Sequence, residues 1–153
     1  MQEYFSYNNL SISYTKQGSG NAVVLVHGFG EDGSIWDYQT AFLKDFYTVI
    51  VIDLPGSGRS KVDSWQLVDD SCEMINDSHK LVTYDSRFKT SDLSTIEFYA
   101  DCVATLLQHL TITNCNMFGH SMGGYITLAF AENYPELLKG FGLVHSTAFA
   151  DSD

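Results

Sequence analysis

Gly119-His120-Ser121-Met122-Gly123-Gly124 decides how this chain reads. It follows a short apolar stretch, Asn114 to Phe118, which predicts a strand. It opens Met122 to Asn133, where Ile126, Ala129 and Phe130 share one helical face and Pro135 forbids continuation. A serine at such a junction sits on a sharp bend, and the residues two places either side must be nearly free of side chain. Gly119 and Gly123 meet that need. The bend carries the Ser121 hydroxyl out over the end of the strand. It also sets the Met122 amide at a helix N-terminus, where negative charge is favoured. These are parts for nucleophilic attack by a serine. A glycine-rich helix start made only for close packing would carry the same letters, with Gly124 as one more small contact.

Working outward, Ala22 to His27 (AVVLVH) and Tyr47 to Ile52 (YTVIVI) are continuously apolar and rich in β-branched residues. Such runs are strands covered on both faces. Gly140 to Val144 (GFGLV) predicts a last strand. Gln2 to Ser6 and Leu10 to Lys16 alternate polar and apolar residues around Asn8-Asn9, as an edge hairpin does. Ser34 is positioned to cap a short helix carrying Ile35, Trp36, Phe42 and Leu43. Ser94-Thr95-Ile96-Glu97 has capping-box spacing, and Phe98, Cys102, Leu106 and Leu110 then follow at helical intervals. Residues 62–93 form an acidic stretch with little periodicity, read as a surface excursion. The fold class is α/β: a mostly parallel sheet flanked by helices, with an antiparallel N-terminal hairpin. Ligands of such sheets bind at the carboxyl ends of the strands.

Two further loops sit at those ends. His27-Gly28-Phe29-Gly30 follows one buried strand, and Asp53-Leu54-Pro55-Gly56-Ser57-Gly58-Arg59-Ser60 follows the next. With GHSMGG, the three motifs resemble the α/β-hydrolase family in order and placement. The resemblance implies a serine hydrolase acting on an ester or related acyl bond of a small molecule, without metal or organic cofactor. It implies Ser121 as nucleophile, the Phe29 and Met122 amides as oxyanion donors, and His27, Gly28, Gly30 and His120 as motif support. The DLPGSGRS loop is implied to be structural. In this family the catalytic acid and histidine follow the seventh and eighth strands, whereas the strands read here stop at the sixth. The expectation is one incomplete domain, 1–153, a truncated hydrolase core in which 145–153 begin a missing cap. Alone it would be nearly inert. His145, at the end of the last strand, is the one histidine placed to substitute as base, and Asp151 or Asp153 could orient it.

Two other readings compete. Gly28-Phe29-Gly30-Glu31-Asp32-Gly33 is a literal G-x-G-x-x-G, with Asp53 ending the next strand, which is a dinucleotide fingerprint. Against it, Glu31 and Asp32 put negative charge where a pyrophosphate would sit. The other is a hydrolase-like domain that binds a small molecule or partner without chemistry.

Composition narrows the partners. The chain has 153 residues, enough for one sizeable core, and its 14% aromatic content argues against disorder. Eight Lys+Arg against nineteen Asp+Glu give −11, which disfavours nucleic acid or an anionic membrane surface. Cys72, Cys102 and Cys115 are an odd set without metal-site spacing. No apolar run reaches membrane-spanning length and no basic leader opens the chain, so the reading is cytoplasmic. An unpaired edge along Gly140–Val144 would recruit a partner: a homodimer, a swapped element or a complementing fragment.

Overall fold

The N-terminal alternation does form a hairpin. In the computed structural model, which describes residues 1–8, 10–62 and 95–149, β1 (Gln2–Tyr7) and β2 (Leu10–Gln17) pair antiparallel. β3 (Ala22–Val26) is buried at every position. A one-turn 3-10 helix (Gly33–Trp36) and α1 (Asp37–Leu43) lead to β4 (Thr48–Ile52), which lies parallel to β3 with Val26 opposite Ile52. β5 (Lys61–Val62) is a two-residue strand beside Ser11 and Leu10 of β2. Then come α2 (Ile96–His109), β6 (Cys115–His120), α3 (Met122–Asn133), a 3-10 turn (Pro135–Leu137) and β7 (Leu138–Val144). The sheet order is β1-β2-β4-β3-β6-β7, with the hairpin antiparallel and β4, β3, β6 and β7 parallel.

Period-two alternation divides the core. Val24 and Val26 of β3 face α2 and α3, in one cluster with Ile12, Ile50, Ile52, Phe98, Leu107, Ile126 and Phe130. Val23 and Leu25 face the other way, where Trp36, Val49 and Val51 complete a smaller cluster. Helices therefore cover both faces, α1 on one and α2 with α3 on the other. Among the described residues no helix is long and apolar enough to cross a membrane.

Local chemistry departs from the expectations at several points. Asp32, not Ser34, caps the 3-10 turn, because its carboxylate accepts the Ser34 N–H at 2.8 Å. Thr95 caps α2, its Oγ1 accepting from Phe98 N at 3.1 Å, so Glu97 lies one place too early for the reciprocal box. Phe42 is 66% exposed and does not share Trp36's burial. β6 continues past Phe118 to His120, because β3 holds it through Gly119 and β7 holds it through His120. β7 starts two residues before Gly140. Val62 belongs to β5, while the rest of the acidic stretch, with Cys72 and His79, lies outside the described residues. Cys102 and Cys115 are free and buried, and burial pushes both thiols up, Cys115 to about 11. Neither is a nucleophile at neutral pH.

Candidate active site

Ser121 occupies the bend between β6 and α3 at φ +50°, ψ −119°. Residues with a Cβ rarely adopt that backbone, and they persist there only when surroundings enforce it. The enforcement is visible. Ser121 N donates to Val144 O at 3.0 Å, and Gly124 N donates to Ser121 O at 2.8 Å. A Cβ on Gly119 would lie 2.0 Å from Gly123 O, and one on Gly123 would lie 2.4 Å from Val26 O. The first turn of α3 is thus pressed onto the ends of β3 and β6, which no larger residue permits. Gly124 serves the same approach on the side of Ser146, whose Oγ would meet its Cβ at 2.2 Å. The Ser121 side chain is exposed and makes no capping bond to its helix.

The loop after β3 comes up against this bend. A Cβ on Gly28 would lie 3.0 Å from Ser121 Cβ. Met122 is the first residue of α3 and Phe29 follows Gly28. Neither backbone N–H donates to any described residue. Gly30 takes φ +71° in open space, turning the chain away, and the Phe29 ring is 86% exposed.

His27 fastens that loop from below. It is completely buried; its Nε2 accepts Leu54 N–H at 2.9 Å and its Nδ1 lies 2.8 Å from Gly28 O. A neutral ring with the proton on Nδ1 satisfies both contacts. Burial pushes its pKa below the ordinary histidine value, outweighing the Gly28 carbonyl and the nearby carboxylates. Asp53, 7% exposed, organises the next loop. It accepts from Gly33 N at 2.9 Å, Arg59 N at 3.0 Å and Ser13 Oγ at 3.0 Å.

His120 engages Glu31 (Nδ1 to Oε2, 2.8 Å), and the same Oε2 accepts the Gly28 N–H at 2.7 Å. Burial alone would raise the Glu31 carboxyl. The Gly28 N–H and the His120 ring outweigh it and hold the pKa below its ordinary value. The Trp36 and His145 rings stand edge-on to His120 at 6.4 and 5.6 Å. His145 is exposed at φ +50°. Among the described residues no histidine nitrogen is hydrogen-bonded to the Ser121 hydroxyl. His109 instead stacks on Phe5 at 5.7 Å. Asp151 and Asp153 lie outside the described residues.

Glu31 and Asp32 do more than oppose a pyrophosphate. The Gly28, Gly33 and Ser34 amides, which a dinucleotide loop would offer, already donate to Glu31, Asp53 and Asp32. Glu31's reach to an amide three residues back is a local pattern readable in sequence. Its link to His120, 89 residues on, has no local signal. A polar cleft of about 330 Å³ under Asp32, Asp53 and Arg59 has neither Ser121 nor Phe29 in its wall.

Comparison with known proteins agrees with this architecture. The acetyltransferase component of the acetoin cleaving system of Cupriavidus necator is 27% identical over 151 residues, 98% of this chain and 33% of that protein. The (E)-2-((N-methylformamido)methylene)succinate hydrolase of Acinetobacter baylyi is 26% identical over 138 residues, 90% of this chain and 42% of that protein. The chain thus spans less than half the length of these curated relatives. A thermophilic esterase from Thermogutta terrifontis superposes with TM-score 0.73 at 29% identity, covering 99% of this chain and 48% of the esterase. The sequence profile of the alpha/beta hydrolase fold matches residues 21–152, and the chain belongs to that family.

Proposed function

We propose that Ser121 is the nucleophile of a serine hydrolase acting on an ester or related acyl bond of a small molecule. The observation that carries this is the exposed, strained Ser121 beside two N–H groups, Phe29 and Met122, that have no described acceptor. In this reading Ser121 Oγ bonds to the acyl carbon while the carbonyl electron pair moves onto oxygen. The Phe29 and Met122 amides receive that charge. Collapse expels the alcohol or related leaving group, and water later releases the acid. The esterase and the succinate-derivative hydrolase named above support the reaction class, each on its own substrate.

The base that takes the Ser121 proton, and the acid that orients it, belong in this reading to residues outside the described ones. Losing the base from such a triad costs about 10⁶ in turnover, leaving roughly 10³–10⁴ over water from oxyanion stabilisation and binding. A form of the protein in which no base reaches Ser121 is therefore expected to turn over very slowly. The absence of a described histidine bonded to Ser121 also favours a second reading, a domain that binds a small molecule without chemistry. A fluorophosphonate probe separates the two. Covalent mass on Ser121, lost in Ser121→Ala, supports the hydrolase; silence in the longest form of the gene product supports binding alone.

A further inference from the structure

The geometry points to Glu31 as a positioning residue: one carboxylate oxygen fastens the loop carrying Phe29 to the bend carrying Ser121 and Met122. This rests on the hydrolytic reading above. Parallel pairing of β3 and β6 ends at Val26 opposite Gly119, so neither strand sets the relative placement of the residues beyond. Past the ladder, the Glu31 carboxylate supplies the only side-chain hydrogen-bonded tie between 27–31 and 119–122 among the described residues. Its Oε2 takes the N–H of Gly28, the residue before Phe29, at 2.7 Å. The same oxygen meets Nδ1 of His120, the residue before Ser121, at 2.8 Å.

Two donors stabilise an oxyanion only if both aim at one point. That separation is what a carboxylate shared by their two neighbours sets. The contacts that remain, Gly28 against the Ser121 side chain and the His120 carbonyl and Gly123 against the His27 carbonyl, limit how close the loops come but not how far apart they drift. The imidazole is itself held, with Trp36 and His145 edge-on to it. Glu31 touches no reacting atom, so its effect belongs to the covalent step and not to probe binding.

The test uses the 153-residue chain with a fluorophosphonate probe. Ser121 Oγ displaces fluoride from phosphorus, and the hydroxyl proton leaves to solvent. Glu31→Gln is expected to slow the covalent step about tenfold at unchanged probe affinity, since misplacing a catalytic group by about 1 Å can cost 10²-fold. Glu31→Asp, one methylene shorter, acts in the same direction and serves if Glu31→Gln does not fold. The amide resonances of Phe29 and Met122 are expected to move in either variant. Resonances that stay in place, or a covalent rate within twofold of the parent's, overturn the proposal. If the parent never labels at Ser121 and the longest form of the gene product is silent too, the hydrolytic reading has failed instead. The two resonances alone then decide whether Glu31 holds the loops together.

Discussion

In the hydrolytic reading strain and reactivity coincide at Ser121, and two substitutions pull them apart. At φ +50°, ψ −119° a residue with a Cβ carries about 1–3 kcal/mol of backbone strain. Ser121→Ala keeps the Cβ and the strain while deleting the hydroxyl. That hydroxyl is exposed and makes no cap bond, so the change in stability stays within about 0.5 kcal/mol. Ser121→Gly deletes both. It releases the strain but gives the unfolded chain extra freedom worth about 0.5–1 kcal/mol. The balance favours glycine over alanine by about 1 kcal/mol, which for a chain of this size raises Tm by about 2–4 °C.

Thermal unfolding followed by circular dichroism, with urea titration to confirm an unchanged slope, reads the difference directly. Both variants are silent to the fluorophosphonate, so the more stable protein is also a dead one. A glycine variant that melts at or below the alanine variant would show that the bend stores no strain. The fold would then not be what forces Ser121 outward.

Three other outcomes follow from the same geometry. His27 is held neutral by burial, with its pKa below the unfolded value of about 6.5. The unfolded chain therefore takes up the proton first: stability is full above about pH 6.5 and falls as pH drops toward the folded pKa. Urea midpoints between pH 8 and pH 5 should show this slope and His27→Gln should flatten it; Glu31, also depressed, acts only in the carboxylate range below. Gly123→Ala sets about 1 kcal/mol of helix propensity against overpacking of about 1–3 kcal/mol. Its Cβ would sit 2.4 Å from Val26 O and 2.6 Å from His27 O, so a lower Tm is expected, and an unchanged or higher one would refute the close approach. Finally, β7 pairs only with β6 among the described strands, and we propose that this edge joins a second copy of the chain. Light scattering should show association that grows with concentration and weakens in Phe141→Lys, a charge on the exposed edge strand; a monomer at high concentration would refute it.

What the sequence made legible was whatever one segment decides alone. AVVLV and TVIVI read as buried strands because short β-branched runs fit a covered sheet, whereas Tyr47, read with the second, is 36% exposed and precedes β4. Met122–Asn133 was bounded to the residue because a glycine bend opens it and Pro135 follows it. The bend itself was legible from Gly119 and Gly123, each of which proves to face a backbone carbonyl. What stayed hidden needs two distant segments. Gly119 and His120 are weak strand formers, and they are strand only because β3 and β7 flank them. Thr95 outcompeted Ser94 for the cap by one residue of register. The pairing of Glu31 with His120 spans 89 positions, and only the sheet order brings the partners together.

That sheet order, more than any single motif, sets where chemistry can occur. From β3 the chain leaves toward α1 on one face and returns as β4; from β6 it leaves toward α3 on the other face and returns as β7. β3 and β6 are neighbours, yet their successors lie on opposite sides of the pair. The two loops therefore start toward opposite faces at the carboxyl ends, the position where open α/β sheets bind ligands. His27 and Asp53 brace the loop after β3, and the glycines at 119 and 123 let the first turn of α3 press onto the ends of β3 and β6. Moving GHSMGG to another strand end of this sheet would reproduce the bend and the helix N-terminus. In the hydrolytic reading it would not reproduce the second donor, the Phe29 amide, because only the strand order brings that loop beside the bend. A serine presented that way would have one donor for an oxyanion, and removing a single such donor costs about 10²–10³ in rate.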